Sequence, residues 1–127
     1  MPGEADSLKT ILIVDDDEAV AKVIKGHLEP EGYAVRIKGT GQAAIETAQS
    51  VDTLYAVLLD LGLPDMNGME VLSMIKRKKP NLNVIVVTGS HDEAMGRRAC
   101  ELGAWDYVTK PIDFNYLRNI LLLQPPE

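Results

Sequence analysis

The chain has 127 residues, enough for one compact domain and too few for a second of useful size. Hydrophobic residues make up 46% and charged residues 25%, the balance of a soluble globular protein, and the formal charge of −6 argues against broad nucleic-acid binding by this segment. No apolar run reaches the length of a membrane span, Met1 to Lys9 lacks the apolar stretch of a signal peptide, and the single cysteine, Cys100, excludes an internal disulfide and argues against a thiolate metal site. These features fit a reducing cytoplasm, with no membrane partner.

Residues 1–8 read as a flexible tail. Ile11-Leu12-Ile13-Val14 is a continuous apolar run, as expected of a parallel strand covered on both faces, and leads into Asp15-Asp16-Asp17. Val20, Val23, Ile24 and Leu28 share one face of a first helix, with His27 near that face, and Pro30 and Gly32 mark its end. Ala34 to Lys38 alternates like an edge strand, and Ala44, Ile45 and Ala48 give a second helix. Ala56 to Leu59 is the next continuous run and ends in Asp60. Leu72 and Ile75 mark a third helix, closing in a basic run, Lys76 to Lys79, that complements the helix dipole and is expected to stay solvated. Val84 to Val87 ends in Thr88, with Ser90 two residues on. Met95, Ala99 and Leu102 outline a fourth helix, in which Cys100 reads as a packing residue and which Gly103 stops. Asp106 to Thr109 is a short last strand before Lys110-Pro111, and Leu117, Ile120 and Leu121 mark a fifth helix. Leu121-Leu122-Leu123 reads first as core packing and second as a dimer face or a junction to a further domain. Residues 124–127 read as a tail or the start of a linker.

Five strand–helix alternations predict an α/β fold: a doubly wound, five-stranded parallel sheet in the order 2-1-3-4-5 with five helices. Ligands of such sheets bind beyond the carboxyl ends of the strands, at the switch point between strands 1 and 3. The strand ends there are Asp15-Asp16-Asp17, Asp60, Thr88 and Thr109-Lys110-Pro111, so carboxylates, a hydroxyl and an ammonium converge at one edge. Clustered carboxylates repel one another and call for a cation; an oxygen-only donor set suits a hard ion, Mg²⁺ (or Mn²⁺). A carboxylate is also a nucleophile able to form an acyl phosphate, and phosphoryl transfer needs mainly positioning and charge neutralisation. Each piece has a plainer reading. Asp17 can be no more than a helix N-cap, three acids in a row are often a solvated turn, and Thr88 suits a strand end. The joint placement on four strands carries the argument.

With those residues in hand, the sequence resembles the receiver domains of two-component response regulators, whose fold is flavodoxin-like. The matching stretches are Ile11 to Asp17, Leu58 to Gly68, Val86 to Gly89 and Leu102 to Pro111, and the resemblance covers residues 9–123. It implies that Asp60 is the phosphoacceptor and that Asp15 and Asp16 hold Mg²⁺, with Asp60 and the backbone carbonyl of Gly62 as further ligands. It implies that Thr88 and Lys110 contact the phosphoryl oxygens, that Lys110-Pro111 is a cis peptide, and that Tyr107 is an aromatic switch coupled to Thr88. Gly62 and Ser90 fall where the family tunes dephosphorylation. Gly89, Trp105 and Ile112 depart from the usual alanine, acidic residue and phenylalanine, without touching the chemical groups.

The resemblance further implies a histidine kinase or phosphotransfer protein as donor. It implies an output domain or partner controlled through the fourth helix, fifth strand and fifth helix, a homodimer through that same face, and a protein that catalyses its own phosphorylation and dephosphorylation without being a conventional enzyme. The main alternative is a phosphorylation-independent, receiver-like protein-binding module. Gly39-Thr40-Gly41-Gln42-Ala43-Ala44 also matches the dinucleotide fingerprint G-x-G-x-x-A, but it follows an edge strand and leaves the acidic cluster unexplained. A flavin site is opposed by the acidic turn, and a Mg²⁺ phosphohydrolase of the Asp-x-Asp-x-Thr type by the absence of that spacing at any strand end.

Overall fold

The computed structural model describes residues 9–89 and 92–123; the segments 1–8 and 124–127, with Ser90 and His91, lie outside the described residues. Five strands, β1 (Thr10–Val14), β2 (Ala34–Lys38), β3 (Leu54–Asp60), β4 (Asn83–Thr88) and β5 (Asp106–Thr109), alternate with five helices, α1 (Glu18–Leu28), α2 (Gly41–Ser50), α3 (Gly68–Lys78), α4 (Glu93–Glu101) and α5 (Phe114–Leu122). All neighbouring strands pair in parallel, in the order β2-β1-β3-β4-β5.

The continuous apolar runs are explained by two cores. Successive strand residues point to opposite faces of a sheet. Ile11, Ile13, Leu58, Ile85 and Val87 pack with Ile24 and Leu28 of α1 and with Leu117, Ile120 and Leu121 of α5. Leu12, Val14, Val57, Leu59, Val84 and Val86 pack with Ala44, Ile45 and Ala48 of α2, with Val71, Leu72 and Ile75 of α3, and with Ala99 of α4. A strand buried on both sides has no position to spare for a polar residue, so polar groups appear only where the strand leaves the core.

Each helix starts on a side-chain cap: Asp17, Thr40, Asn67, Asp92 and Asp113 accept backbone N–H bonds in the first turns of α1 to α5 respectively. Gly32 (φ 98°) and Gly103 (φ 101°) take the left-handed conformation after α1 and α4, which a side chain would strain. Among the described residues, helix α4 buries only Ala99, the lightest anchorage of the five.

Five expectations change. Cys100 is exposed, because Ala99 takes the inward position of the short helix α4 and the next residue turns about 100° away. Val23 is 54% exposed, since Ala21, Ile24 and Leu28 suffice to seat α1. Leu121 is core, but Leu122 and Leu123 are exposed. His27 faces outward and stacks on Phe114, with ring centroids 3.7 Å apart. The basic run that closes α3 is only half solvated. Lys76 Nζ donates to the carbonyls of Pro80 and Leu82, and Lys79 pairs with Asp52 at 3.1 Å, while Arg77 and Lys78 are exposed.

Candidate functional site

The switch point lies between β1 and β3, whose ends carry Asp15 and Asp60. Asp15 is buried, and its backbone N–H donates to the Lys38 carbonyl at 3.0 Å. Its Oδ1 accepts from the Asp17 N–H at 2.9 Å. Asp16 is exposed beside it. Asp17 turns away to cap α1, accepting from the N–H groups of Ala19 (3.0 Å) and Val20 (3.2 Å), so the plainer reading of that residue holds. Asp60, its side chain 12% exposed, accepts from the Gly62 N–H at 3.0 Å through Oδ1.

Lys110 Nζ joins the two strands. It donates to Asp60 Oδ2 at 3.0 Å and to Asp15 Oδ2 at 3.2 Å. Its position is fixed from the backbone. The Lys110 N–H donates to the Thr88 carbonyl at 2.7 Å, Thr88 and Thr109 are in register at the ends of β4 and β5, and the Lys110–Pro111 peptide is cis. Thr88 is buried at the end of β4, one residue past the partner of Asp60. Gly89 is exposed, with nothing within 4 Å of where a Cβ would stand, and Gly62 is open too, its nearest neighbour being Asp60 Oδ1. The Tyr107 ring lies against Gly96 of α4, where an added Cβ would be 3.4 Å from Cδ1.

The electrostatics favour a cation. Burial pushes the Asp15 carboxyl above the ordinary range, and the charge of Asp60 pushes it further, against the hydrogen bonds from Asp17 and Lys110. Burial works against the Lys110 ammonium, but its hydrogen bonds to Asp60 and Asp15 and their charges outweigh it and hold its pKa above the usual value. Oxygens of Asp15, Asp16 and Asp60 lie within 4.8 Å of one another. Three carboxylates against one ammonium leave two negative charges uncompensated, which matches a divalent ion. Mg²⁺ takes oxygen ligands and keeps several waters, which suits three carboxylates gathered at one edge. The donor set therefore fits the metal.

One contact was not legible from spacing. Asp65, in the loop after Asp60, accepts from the N–H groups of Gly41 (2.8 Å) and Gln42 (3.0 Å) at the start of α2. No local pattern announces it, because the partners are more than twenty residues apart. It also disposes of the dinucleotide reading, since the helix N-terminus that would hold a pyrophosphate is filled by Thr40 and Asp65. Gly41 serves close packing instead: a Cβ there would meet Val71 Cγ2 at 2.7 Å.

A doubly wound domain with an acidic triad, an ammonium and a hydroxyl at its switch point belongs to the class of phosphorylation-dependent signalling switches. Residues 11–122 match the response regulator receiver domain, and the chain belongs to that family. It is 35% identical over 130 residues to the photosynthetic apparatus regulatory protein RegA of Rhodobacter capsulatus, covering 98% of this chain and 70% of that protein. Among solved structures it resembles a CheY-like receiver domain protein from Methanospirillum hungatei (TM-score 0.83, 35% identity, 89% of this chain and 90% of that one). It also resembles a Burkholderia pseudomallei response regulator described with a phosphorylated aspartic acid and a calcium ion (TM-score 0.82, 27% identity, 89% and 66%). The chain spans between 25% and 70% of the length of the curated relatives compared with it. Receiver domains of this family are phosphorylated by histidine kinases, are linked to output domains and typically bind Mg²⁺ at an acidic pocket. Among the described residues no helix is long and apolar enough to cross a membrane.

Proposed function

We propose that residues 9–123 form a receiver unit in which Asp60 accepts a phosphoryl group from a phosphohistidine of a kinase or phosphotransfer protein. The phosphorus–nitrogen bond of the donor breaks as a phosphorus–oxygen bond to the Asp60 carboxylate forms. Lys110 already holds one Asp60 oxygen and would follow the charge onto the phosphoryl oxygens, and Thr88 supplies a hydroxyl to another. Asp15, Asp16, Asp60 and the Gly62 carbonyl would hold Mg²⁺, which when bound neutralises charge on the transferring oxygens. The open ground at Gly62 leaves water a path to the product, which supports a short-lived phosphoryl aspartate. The observation that carries this reading is Lys110 Nζ between Asp60 (3.0 Å) and Asp15 (3.2 Å) at the switch point.

The output follows from differential contacts. Bonds from Thr88 and Lys110 to a phosphoryl group exist in one arrangement only, and a shift from mostly off to mostly on requires about 5.5 kcal/mol of such preference. Tyr107 follows Thr88 and moves against Gly96. Helix α4, in which Ala99 is the one buried residue among those described, is the cheapest element to displace. The face formed by α4, β5 and α5 would then control an output domain, a partner or a homodimer, in the cytoplasm.

The test is intact-mass spectrometry after incubation with acetyl phosphate, with and without Mg²⁺, on the wild type and Asp60→Asn. One Mg²⁺-dependent phosphoryl adduct, absent from the variant, is expected. A folded wild type that binds Mg²⁺ yet takes no phosphoryl group from acetyl phosphate or from a phosphohistidine donor would move the protein to a phosphorylation-independent binding module.

A further inference from the structure

The two acidic loops of the site are tied together by a third turn that contains none of the site residues. The end of β2 is bonded to the first loop, with Asp15 N–H donating to the Lys38 carbonyl at 3.0 Å. Gly39 continues along it, close enough that a Cβ there would stand 3.8 Å from the Asp15 carbonyl oxygen and the Asp16 Cα. Two residues on, α2 begins, and its Gly41 and Gln42 N–H groups are both held by the Asp65 carboxylate, at 2.8 and 3.0 Å. Asp65 belongs to the loop that leaves Asp60. That loop is pinned at its far end as well, where Gly68 approaches Leu61 so closely that a Cβ would meet the Leu61 Cα at 2.5 Å.

We propose that Asp65 is a positioning residue for the metal and phosphoryl site, acting as the far end of a strut, Lys38 to Gln42, that fixes the Asp60 loop relative to the Asp15–Asp16 turn. The inference rests on the phosphoacceptor reading above and extends it to a residue that touches none of the reacting groups. Two bonds are needed for this role. One hydrogen bond is a pivot, while two from adjacent amides to the two oxygens of one carboxylate fix orientation as well as distance. Those amides also hold the Asp65 carboxyl below its ordinary pKa, first through Gly41 and then through Gln42, so the anion persists at neutral pH. A helix start otherwise needs only a local cap, and α2 already has one in Thr40, whose Oγ1 accepts from Ala43 N–H at 3.1 Å. Asp65 is thus a second, long-range cap on a helix that has its own.

Thr40 provides the control. Thr40→Ala weakens the same helix start without touching the Asp60 loop, whereas Asp65→Ala cuts the strut. Calorimetric titration with Mg²⁺ should show the dissociation constant raised about fivefold or more in Asp65→Ala, less than the about 10–100-fold that follows loss of a ligand's direct support, because Asp65 acts through the backbone. Thr40→Ala should stay within about twofold of the wild type at a similar loss of thermal stability. Phosphorylation by acetyl phosphate should slow in Asp65→Ala at limiting Mg²⁺ and recover at saturating Mg²⁺. Asp65→Asn, with one acceptor oxygen left, should fall between.

A second measurement uses the wild type alone. Coupling is reciprocal, so Mg²⁺ should slow hydrogen exchange at the Gly41 and Gln42 amides and leave the Tyr116 amide, capped by Asp113 at 3.2 Å, unchanged. The strut is overturned if a folded Asp65→Ala binds Mg²⁺ as the wild type does. It is equally overturned if Mg²⁺ leaves exchange at Gly41 and Gln42 untouched, which decides the matter even where the variants do not fold. A wild type that binds no Mg²⁺ and takes no phosphoryl group instead refutes the phosphoacceptor reading itself.

Discussion

Replacing Lys110 by alanine should move two properties in opposite directions. The ammonium makes two charge-assisted hydrogen bonds, to Asp60 and to the buried Asp15. Bonds to charged groups are worth about 1.5–3 kcal/mol each when well buried, and the lysine is 28% exposed, so the pair is discounted to about 2 kcal/mol. Without metal, Lys110→Ala should therefore lower the melting temperature by about 6–10 °C for a domain of this size. Metal binding should change the other way. A divalent ion held by the same carboxylates would be repelled by the ammonium, by about 2–3 kcal/mol at this solvent-facing edge. Part of this is recovered in the wild type as the lysine swings aside, so the variant should bind Mg²⁺ about tenfold more tightly while accepting phosphoryl groups more slowly. Thermal denaturation with and without Mg²⁺, followed by calorimetric titration, reads both effects. A folded variant whose Mg²⁺ affinity is unchanged or weaker would falsify the charge balance drawn for this site.

Three further outcomes follow from the geometry. Asp17→Ala should cost about 1 kcal/mol of stability by removing the α1 cap, yet leave Mg²⁺ affinity within about twofold of the wild type in a titration, since Asp17 turns away from the cluster. Gly68→Ala should destabilise the domain by about 3 kcal/mol, because the new methyl meets Leu61 backbone rather than a side chain that can yield; a denaturant midpoint equal to the wild type's would show that the loop has slack. Tyr116 donates its hydroxyl to Asp106 Oδ2 at 2.6 Å, and this bond, with some burial, raises its pKa above 10.0. The fold thus favours the neutral phenol, so the contribution is fully present below pH 10 and lost as the pH rises through the higher folded value. Tyr116→Phe should be less stable at neutral pH and lose less above pH 10, and the difference ultraviolet titration of wild type against variant should show a late-titrating tyrosine.

The amino-acid sequence by itself determined the layers and which polar side chains stand together at the sheet edge. Runs such as Ile11 to Val14 and Val84 to Val87 have no polar position, so they must be covered on both faces, and the first polar residue after each run must stand at the sheet edge. That is why Asp15, Asp60, Thr88 and Lys110 were legible as one group although up to 95 residues separate them. Capping was also local enough to see, as at Asp17. Side-chain direction on lightly buried helices was not. Apolar spacing places Val23 and Cys100 near a core face, but which residue is inward depends on how far the neighbouring strand lets the helix approach, and Ala21 and Ala99 take those places. Tertiary structure alone decided the contacts of Asp65 with Gly41 and Gln42, and of Tyr107 with Gly96. Each joins segments whose separation in sequence carries no period, so only the packing of one loop against another brings donor to acceptor.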